Sequence, residues 1–263
     1  MRGPLVSGDW LAAHLADVRV VDVRWYLDGR SGLAAYEAGH LPGAVWLDVD
    51  TDLSDPASDA AGRHPLPSPS RFAAALGRVG IAAGTPVVAY DDAGGSIAAR
   101  LWWMLHVLGE PAAVLDGGLA AWSGALTTEV PSYSPVEREP REWPADRFAT
   151  ADQVDRSSAA IFDARTAERY AHGDPEIDPR PGHIPGALSA PWAGNLGADG
   201  RFLAPDALRE RFPVEDAIAY CGSGVTACHD LLAMELVGVA HTALYPGSWS
   251  QWGADPARPA ETG

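Results

Sequence analysis

The chain has 263 residues and 27.6 kDa, with 47% hydrophobic and 21% charged side chains. That balance belongs to a globular protein of one large or two compact domains and excludes a disordered or fibrous polypeptide. The formal net charge of -16 repels a nucleic-acid backbone, and because all 19 basic residues are Arg, positive charge at any site must come from Arg.

Residues 1–10 lack the basic start and apolar run of a secretory signal. No stretch approaches the roughly 18 consecutive apolar residues of a membrane span. Two cysteines, Cys221 and Cys228, are too few for a disulfide framework. A cytoplasmic protein without membrane or nucleic-acid partners is therefore expected.

In chain order, the first clear element is the apolar run Val20, Val21, Asp22, Val23, Arg24, which reads as a strand ending in Asp-x-Arg. Gly39, His40, Leu41, Pro42, Gly43 and Ala44 follow as a turn. Residues 87–90 form a second strand, leading through a Gly-rich turn into a helix over 96–108 that stops at Gly109. Residues 115–118 then read as a short strand entering a turn, with Trp122 just beyond. From 126 to 145, Pro131, Pro135, Pro140 and Pro144 interrupt a polar stretch without periodicity, which reads as a linker.

The pattern then starts again. Ile161, Phe162, Asp163, Ala164 and Arg165 repeat the first strand, and residues 182–187 (Gly-His-Ile-Pro-Gly-Ala) repeat the turn. Residues 217–220, a second Gly-rich turn, a helix over 225–237, Gly238, the strand at 244–247 and Trp252 complete the copy. Short β runs alternating with helical ones give a mostly parallel sheet flanked by helices. Two tandem α/β domains are predicted, at 1–125 and 146–263, joined by a linker at 126–145.

The copies differ where chemistry would sit. After Tyr220 the second copy has Cys221-Gly222-Ser223-Gly224-Val225-Thr226 and then a helix, whereas the first has Asp91 after Tyr90. The C-terminal end of a parallel strand, followed by glycines and a helix N-terminus, is where ligands bind in open α/β sheets. Inward backbone N–H groups and the helix dipole there favour a thiolate. The alternative, a buried cysteine acting as a small hydrophobe, fits poorly with glycines on both sides of Ser223. Cys228 lies two helical turns on, about 10 Å away, and reads as core.

The tandem halves, the Gly-His-x-Pro-Gly-Ala segments and the Cys221–Thr226 loop resemble the two-domain rhodanese family of sulfurtransferases over nearly the whole chain. The resemblance implies two rhodanese-like domains, the second catalytic and the first without its nucleophile. It implies transfer of sulfur from a small anionic donor, 3-mercaptopyruvate, through a Cys221 persulfide to a thiol or cyanide, with thioredoxin as one possible acceptor. Members acting on thiosulfate have Arg and Lys where this loop has Gly222 and Ser223; a neutral loop suits an α-keto thiol better than a dianion.

The same resemblance assigns residues. Backbone groups of Gly222, Ser223, Gly224, Val225 and Thr226 cradle the persulfide, and Arg169 and Arg180 bind the donor. A relay of Ser223, His64 and Asp50 moves its proton, with Asp48 or Asp52 as substitutes for Asp50. Asp22, Arg24, His40, Asp163, Arg165 and His183 occur in both copies whether or not the nucleophile is present, which marks them as scaffold.

Three rivals are weighed against this reading. A cysteine phosphatase would need Arg at the sixth position after the cysteine, where Ala227 stands. A thiosulfate sulfurtransferase and a non-catalytic persulfide carrier are the other two, and a carrier needs no arginine clamp. No cofactor is expected, and scattered histidines imply no metal site.

Overall fold

The computed structural model describes residues 3–263 and divides into two compact units. The first comprises residues up to Asp55, Pro67–Trp143 and Ala198–Arg201; the second comprises Pro56–Leu66, Pro144–Gly197 and Phe202–Gly263. Residues 56–66, early in the chain, thus belong to the second unit.

In the first unit the elements are β1 (Leu5–Val6), α1 (Gly8–His14), β2 (Arg19–Asp22), α2 (Gly32–Ala38), β3 (Val45–Trp46), α3 (Pro69–Arg78), β4 (Val87–Tyr90), α4 (Ala98–Val107) and β5 (Ala112–Leu115). The strands are all parallel, in the order β1-β5-β4-β2-β3. The second unit has α5 (Ala151–Asp155), β6 (Ala160–Asp163), α6 (Ala167–His172), β7 (Leu188–Ser189), α7 (Pro205–Arg211), β8 (Asp216–Tyr220), α8 (Ala227–Val237), β9 (His241–Leu244) and α9 (Ser248–Trp252). Its parallel sheet runs β7-β6-β8-β9, so β2, β3, β4 and β5 correspond to β6, β7, β8 and β9. The position of β1 is reduced in the second copy to a single parallel bridge between Phe148 and Leu244. Two parallel sheets flanked by helices are what the repeated pattern predicts.

The central strands are apolar because helices cover both faces of a parallel sheet. Val87, Val88, Ala89 and Tyr90 are all buried, and so are Ala217, Ile218, Ala219 and Tyr220. Val20, Leu41, Val88, Tyr90 and Leu115 share one core cluster, and Ile184, Ile218, Tyr220, Trp249 and Trp252 share another. Helix α8 is enclosed on every side, with all residues from Ala227 to Met234 buried, His229 and Asp230 among them.

Both central helices begin later than the periodicity predicts, at Ala98 and Ala227. In the first copy the reason is visible. The Asp91 carboxylate, fully buried, accepts the backbone N–H groups of Ala93, Gly95, Ile97 and Ala98, each at 2.8 Å. The residues before α4 are thus committed to the carboxylate and not to helical bonds. Burial pushes the Asp91 carboxyl upward while the four N–H groups pull it down.

Residues 126–143 contain no helix or named strand, but they are fastened to the first unit: Val136 N–H donates to the Gly77 carbonyl, Arg138 pairs with Glu110 at 2.8 Å, and Trp143 Nε1 donates to the Pro67 carbonyl. Among the described residues, no helix is long and apolar enough to cross a membrane.

Replacing Asp91 by Ala leaves four buried N–H groups without their acceptor. The variant is expected to lose about 3 kcal/mol of stability or more, read as a lower urea midpoint at unchanged m-value. A loss under about 0.5 kcal/mol would show that water replaces the carboxylate.

Candidate active site

Strand β8 ends at Tyr220 and delivers Cys221 to the C-terminal edge of the sheet, 2% exposed. The Gly224 N–H donates to its Sγ at 3.1 Å. Gly224 has φ +77, and a Cβ there would lie 2.6 Å from the Pro246 carbonyl oxygen, so only glycine fits on both counts. Neither cysteine is in a disulfide. Cys228 is buried, its thiol donating to the Gly224 carbonyl oxygen at 3.5 Å.

The start of α9 pins the loop from the other side. Trp249 N–H donates to the Cys221 carbonyl at 3.0 Å and Ser250 N–H to the Gly222 carbonyl at 2.9 Å. Ser248 Oγ accepts the Cys221 N–H at 3.1 Å and donates to the Tyr245 carbonyl at 2.9 Å. Ser248 is also, among the described residues, the non-glycine residue with positive φ, 52°. A left-handed conformation disfavoured for L-residues thus sits next to the nucleophile, tied down by the two hydrogen bonds of the Ser248 hydroxyl.

Ser223, 5% exposed, meets His64: Oγ and Nδ1 are 2.7 Å apart, and His64 is 2% exposed. These two relay residues come together because residues 56–66 belong to the second unit. Asp50 belongs to the first unit, where its carboxylate accepts the Trp25 Nε1–H at 3.0 Å. Of the two substitutes, Asp48 accepts the Asp50 N–H and the Thr51 hydroxyl, and Asp52 is gripped by Arg78 at 2.7 Å.

Two guanidinium groups close on Gly222. Its ideal Cβ would lie 2.8 Å from Arg169 Nη2, 3.1 Å from Arg63 Nη2 and 3.5 Å from Arg169 Nη1. Arg169 is held by Asp178, with Nε to Oδ2 at 3.0 Å and Nη2 to Oδ1 at 2.5 Å. Arg63 donates its backbone N–H to Ser250 Oγ and its Nη1 to the Ile177 carbonyl. Arg180, the other expected donor ligand, is differently engaged: its Nη2 donates to the Arg258 carbonyl at 2.7 Å and its guanidinium lies over the Trp249 ring. Arg63, Asp178, Ser248 and Ser250 are thus site residues that sequence reasoning missed. Arg63 directly precedes His64, and that adjacency was the one available signal.

Beside these groups lies an open cleft of about 420 Å³, lined by Ser58, Asp59, Arg63, Glu176, Asp178 and Ser250 among others. Among the described residues, no group of three or more His, Cys, Asp or Glu is placed to hold a metal ion. A buried thiol with an N–H on its sulfur, a serine–histidine pair and two guanidinium groups beside a small cleft suit nucleophilic attack on a small anion.

The family model described as rhodanese-like domain matches residues 7–125 and again 149–255. The probable 3-mercaptopyruvate sulfurtransferase of Pseudomonas aeruginosa is 43% identical over 98% of both chains. A putative thiosulfate sulfurtransferase, SseB, of Mycobacterium tuberculosis is 40% identical over 94% of this chain and 91% of its own. The crystal structure of the 3-mercaptopyruvate sulfotransferase SseA from Escherichia coli superposes with a TM-score of 0.81 at 34% identity, covering 94% of this chain and 99% of that one.

Gly222→Ala places a methyl group against the tips of Arg169 and Arg63. Flexible side-chain ends can retreat, so the variant is expected to keep the parent's melting temperature while KM for an anionic substrate rises about tenfold. An unchanged KM would mean that the two guanidinium tips do not touch the substrate.

Proposed function

The chain belongs to the rhodanese-like domain family and is a sulfurtransferase; we propose that Cys221 takes its sulfur from 3-mercaptopyruvate and passes it to a thiol or to cyanide. The convergence of Arg169 and Arg63 on the space beside Gly222, next to the thiol, carries this reading. A keto acid has one carboxylate for such forks to grip.

In the first stage the Cys221 thiolate attacks the donor sulfur. A sulfur–sulfur bond forms and the carbon–sulfur bond breaks, its electron pair passing to the carbon that becomes the enolate of pyruvate. The proton of the donor thiol moves through Ser223 and His64 to that carbon, so pyruvate leaves and the outer sulfur stays as the persulfide anion. In the second stage an acceptor thiol takes the outer sulfur, and the electron pair of the sulfur–sulfur bond returns to Cys221.

The first copy supports the cradle. Its loop presents four backbone N–H groups to one anion, the Asp91 carboxylate, at the position that Cys221 occupies in the second. The corresponding backbone around Gly222, Ser223, Gly224, Val225 and Thr226 is assigned to the persulfide. The outer place in the relay is assigned to Asp50 on the family resemblance alone.

Mass spectrometry of the protein treated with 3-mercaptopyruvate is expected to show one added sulfur on Cys221 and an equivalent of pyruvate released. Cys221→Ser is expected to show neither. A modified Ser variant, or a parent that releases no pyruvate, would sink the reading. Preference among donors follows from kcat/KM, where a higher value for thiosulfate than for 3-mercaptopyruvate would reassign the donor.

The arginines separate by what holds them. Arg63→Ala and Arg169→Ala are each expected to lower kcat/KM for 3-mercaptopyruvate by about a hundredfold, in the range of a lost charge-assisted hydrogen bond. Arg180→Ala, already tied to the Arg258 carbonyl, is expected to lower it by less than about tenfold. Equal losses for all three would restore Arg180 to direct contact with the donor.

A further inference from the structure

The residue that holds Arg169 is a carboxylate buried to 2% exposure, and both of its oxygens are committed to neighbours. Asp178 Oδ1 and Oδ2 take the Nε and Nη2 edge of Arg169, and Oδ2 also accepts the Asp174 N–H at 3.0 Å. Arg165 Nη1 stands 3.6 Å from the same Oδ2, while Arg165 is itself clasped by Asp163 at 2.6 Å. Two guanidinium groups therefore meet two carboxylates, and the set carries no net charge.

Arg169 nevertheless remains a hydrogen-bond donor toward the loop. Asp178 occupies one edge of the fork, and Nη1 lies on the other, 3.5 Å from the ideal Cβ of Gly222. The adjoining cleft adds Asp59 and Glu176 to its lining, beside Asp178 and Arg63. A ligand entering there meets directed N–H groups in a negatively biased surround.

We propose that Asp178 determines donor specificity, cancelling the charge of Arg169 while leaving its outer N–H groups available, so that the site accepts monoanionic keto-thiols and turns away dianionic donors. The inference rests on the 3-mercaptopyruvate reading above and adds the residue that enforces it. One carboxylate is satisfied by geometry, through N–H donors at fixed positions. A second negative charge on the ligand has no fixed geometry to exploit and responds to net charge, which Asp178 removes. Asp178 contacts no donor itself; it acts through Arg169 and through the field.

The test uses the full chain with cyanide as acceptor, measuring kcat/KM for thiosulfate and for 3-mercaptopyruvate at about 0.02 M and 0.5 M salt. Asp178→Asn keeps an acceptor for Arg169 but deletes the charge. The ratio of thiosulfate to 3-mercaptopyruvate activity is expected to rise about tenfold at low salt, and the rise to shrink at high salt. Asp178→Glu retains the charge and is expected to keep the parent's ratio. A fall of both activities by one factor in Asp178→Asn, with the ratio unchanged, would overturn the proposal and leave Asp178 only a strut for Arg169.

Calorimetric titration of the unsubstituted protein with pyruvate and with sulfate reads the same preference should the Asn variant fail to fold. Tighter binding of pyruvate is expected, and tighter binding of sulfate would overturn the proposal. Absence of pyruvate release from 3-mercaptopyruvate by the parent would overturn the donor reading itself and this inference with it, an observation distinct from an unchanged ratio.

Discussion

The structure depends on backbone N–H groups closing around one anion at the end of a central parallel strand. In the first copy the anion is a side chain, Asp91, and four N–H groups at 2.8 Å hold it. In the second copy the same turn of chain holds a sulfur, with the Gly224 N–H at 3.1 Å. In the first copy the turn points its donors inward before a helix can begin, which delays α4 to Ala98, and α8 likewise begins only at Ala227. A fold that must satisfy this donor cluster either fills it with a fixed carboxylate, which closes it, or with a sulfur that can exchange, which makes it a reactive centre.

The scaffold behind that turn is a second anion problem, solved identically in both copies. Arg24 Nη2 meets Asp22 Oδ2 at 2.6 Å and the Gly39 carbonyl at 2.8 Å; Arg165 meets Asp163 and the Gly182 carbonyl at the same two distances. Tyr90 and Tyr220 accept the N–H groups of Leu41 and Ile184 on their hydroxyls. His40 stacks on Tyr36 and His183 on Tyr170. Each clasp ties the end of a central strand to the Gly-His-x-Pro-Gly-Ala turn through buried charge, and removing one partner would strand the other in an apolar core. That explains why these residues recur when the nucleophile does not.

What could be read in the sequence followed from this repetition. Short apolar strands, glycine-terminated helices and the Asp-x-Arg clasps occur twice in the same order, so the parallel sheets and the loop bearing Cys221 were legible. The donor side was less so. Arg63 precedes Gly222 by 159 positions, and Asp178 reads locally as one acid among Asp174, Glu176 and Asp178 in a loop. No periodicity marks a loop residue that reaches a site through tertiary folding. Arg180 lies near the site in sequence, and its Nη2 donates to the Arg258 carbonyl, an engagement that its local sequence does not announce. The pairing of His64 with Ser223 depends equally on residues 56–66 joining the second unit, which local pattern does not encode.

A chain with net charge -16 and no lysine places a further condition on its active site. A bare positive centre in such a surround would draw in any anion, whereas a guanidinium has two usable edges. One edge of Arg169 is neutralised by Asp178 and the other faces Gly222, an arrangement that a lysine ammonium, with one compact charge and no second edge, does not allow. The loop itself is uncharged and built of glycine and serine, and the positive charge beside it comes from arginines reaching in from elsewhere. Gly222 is small for a steric reason: the volume a side chain would take is already occupied by the guanidinium ends of Arg169 and Arg63.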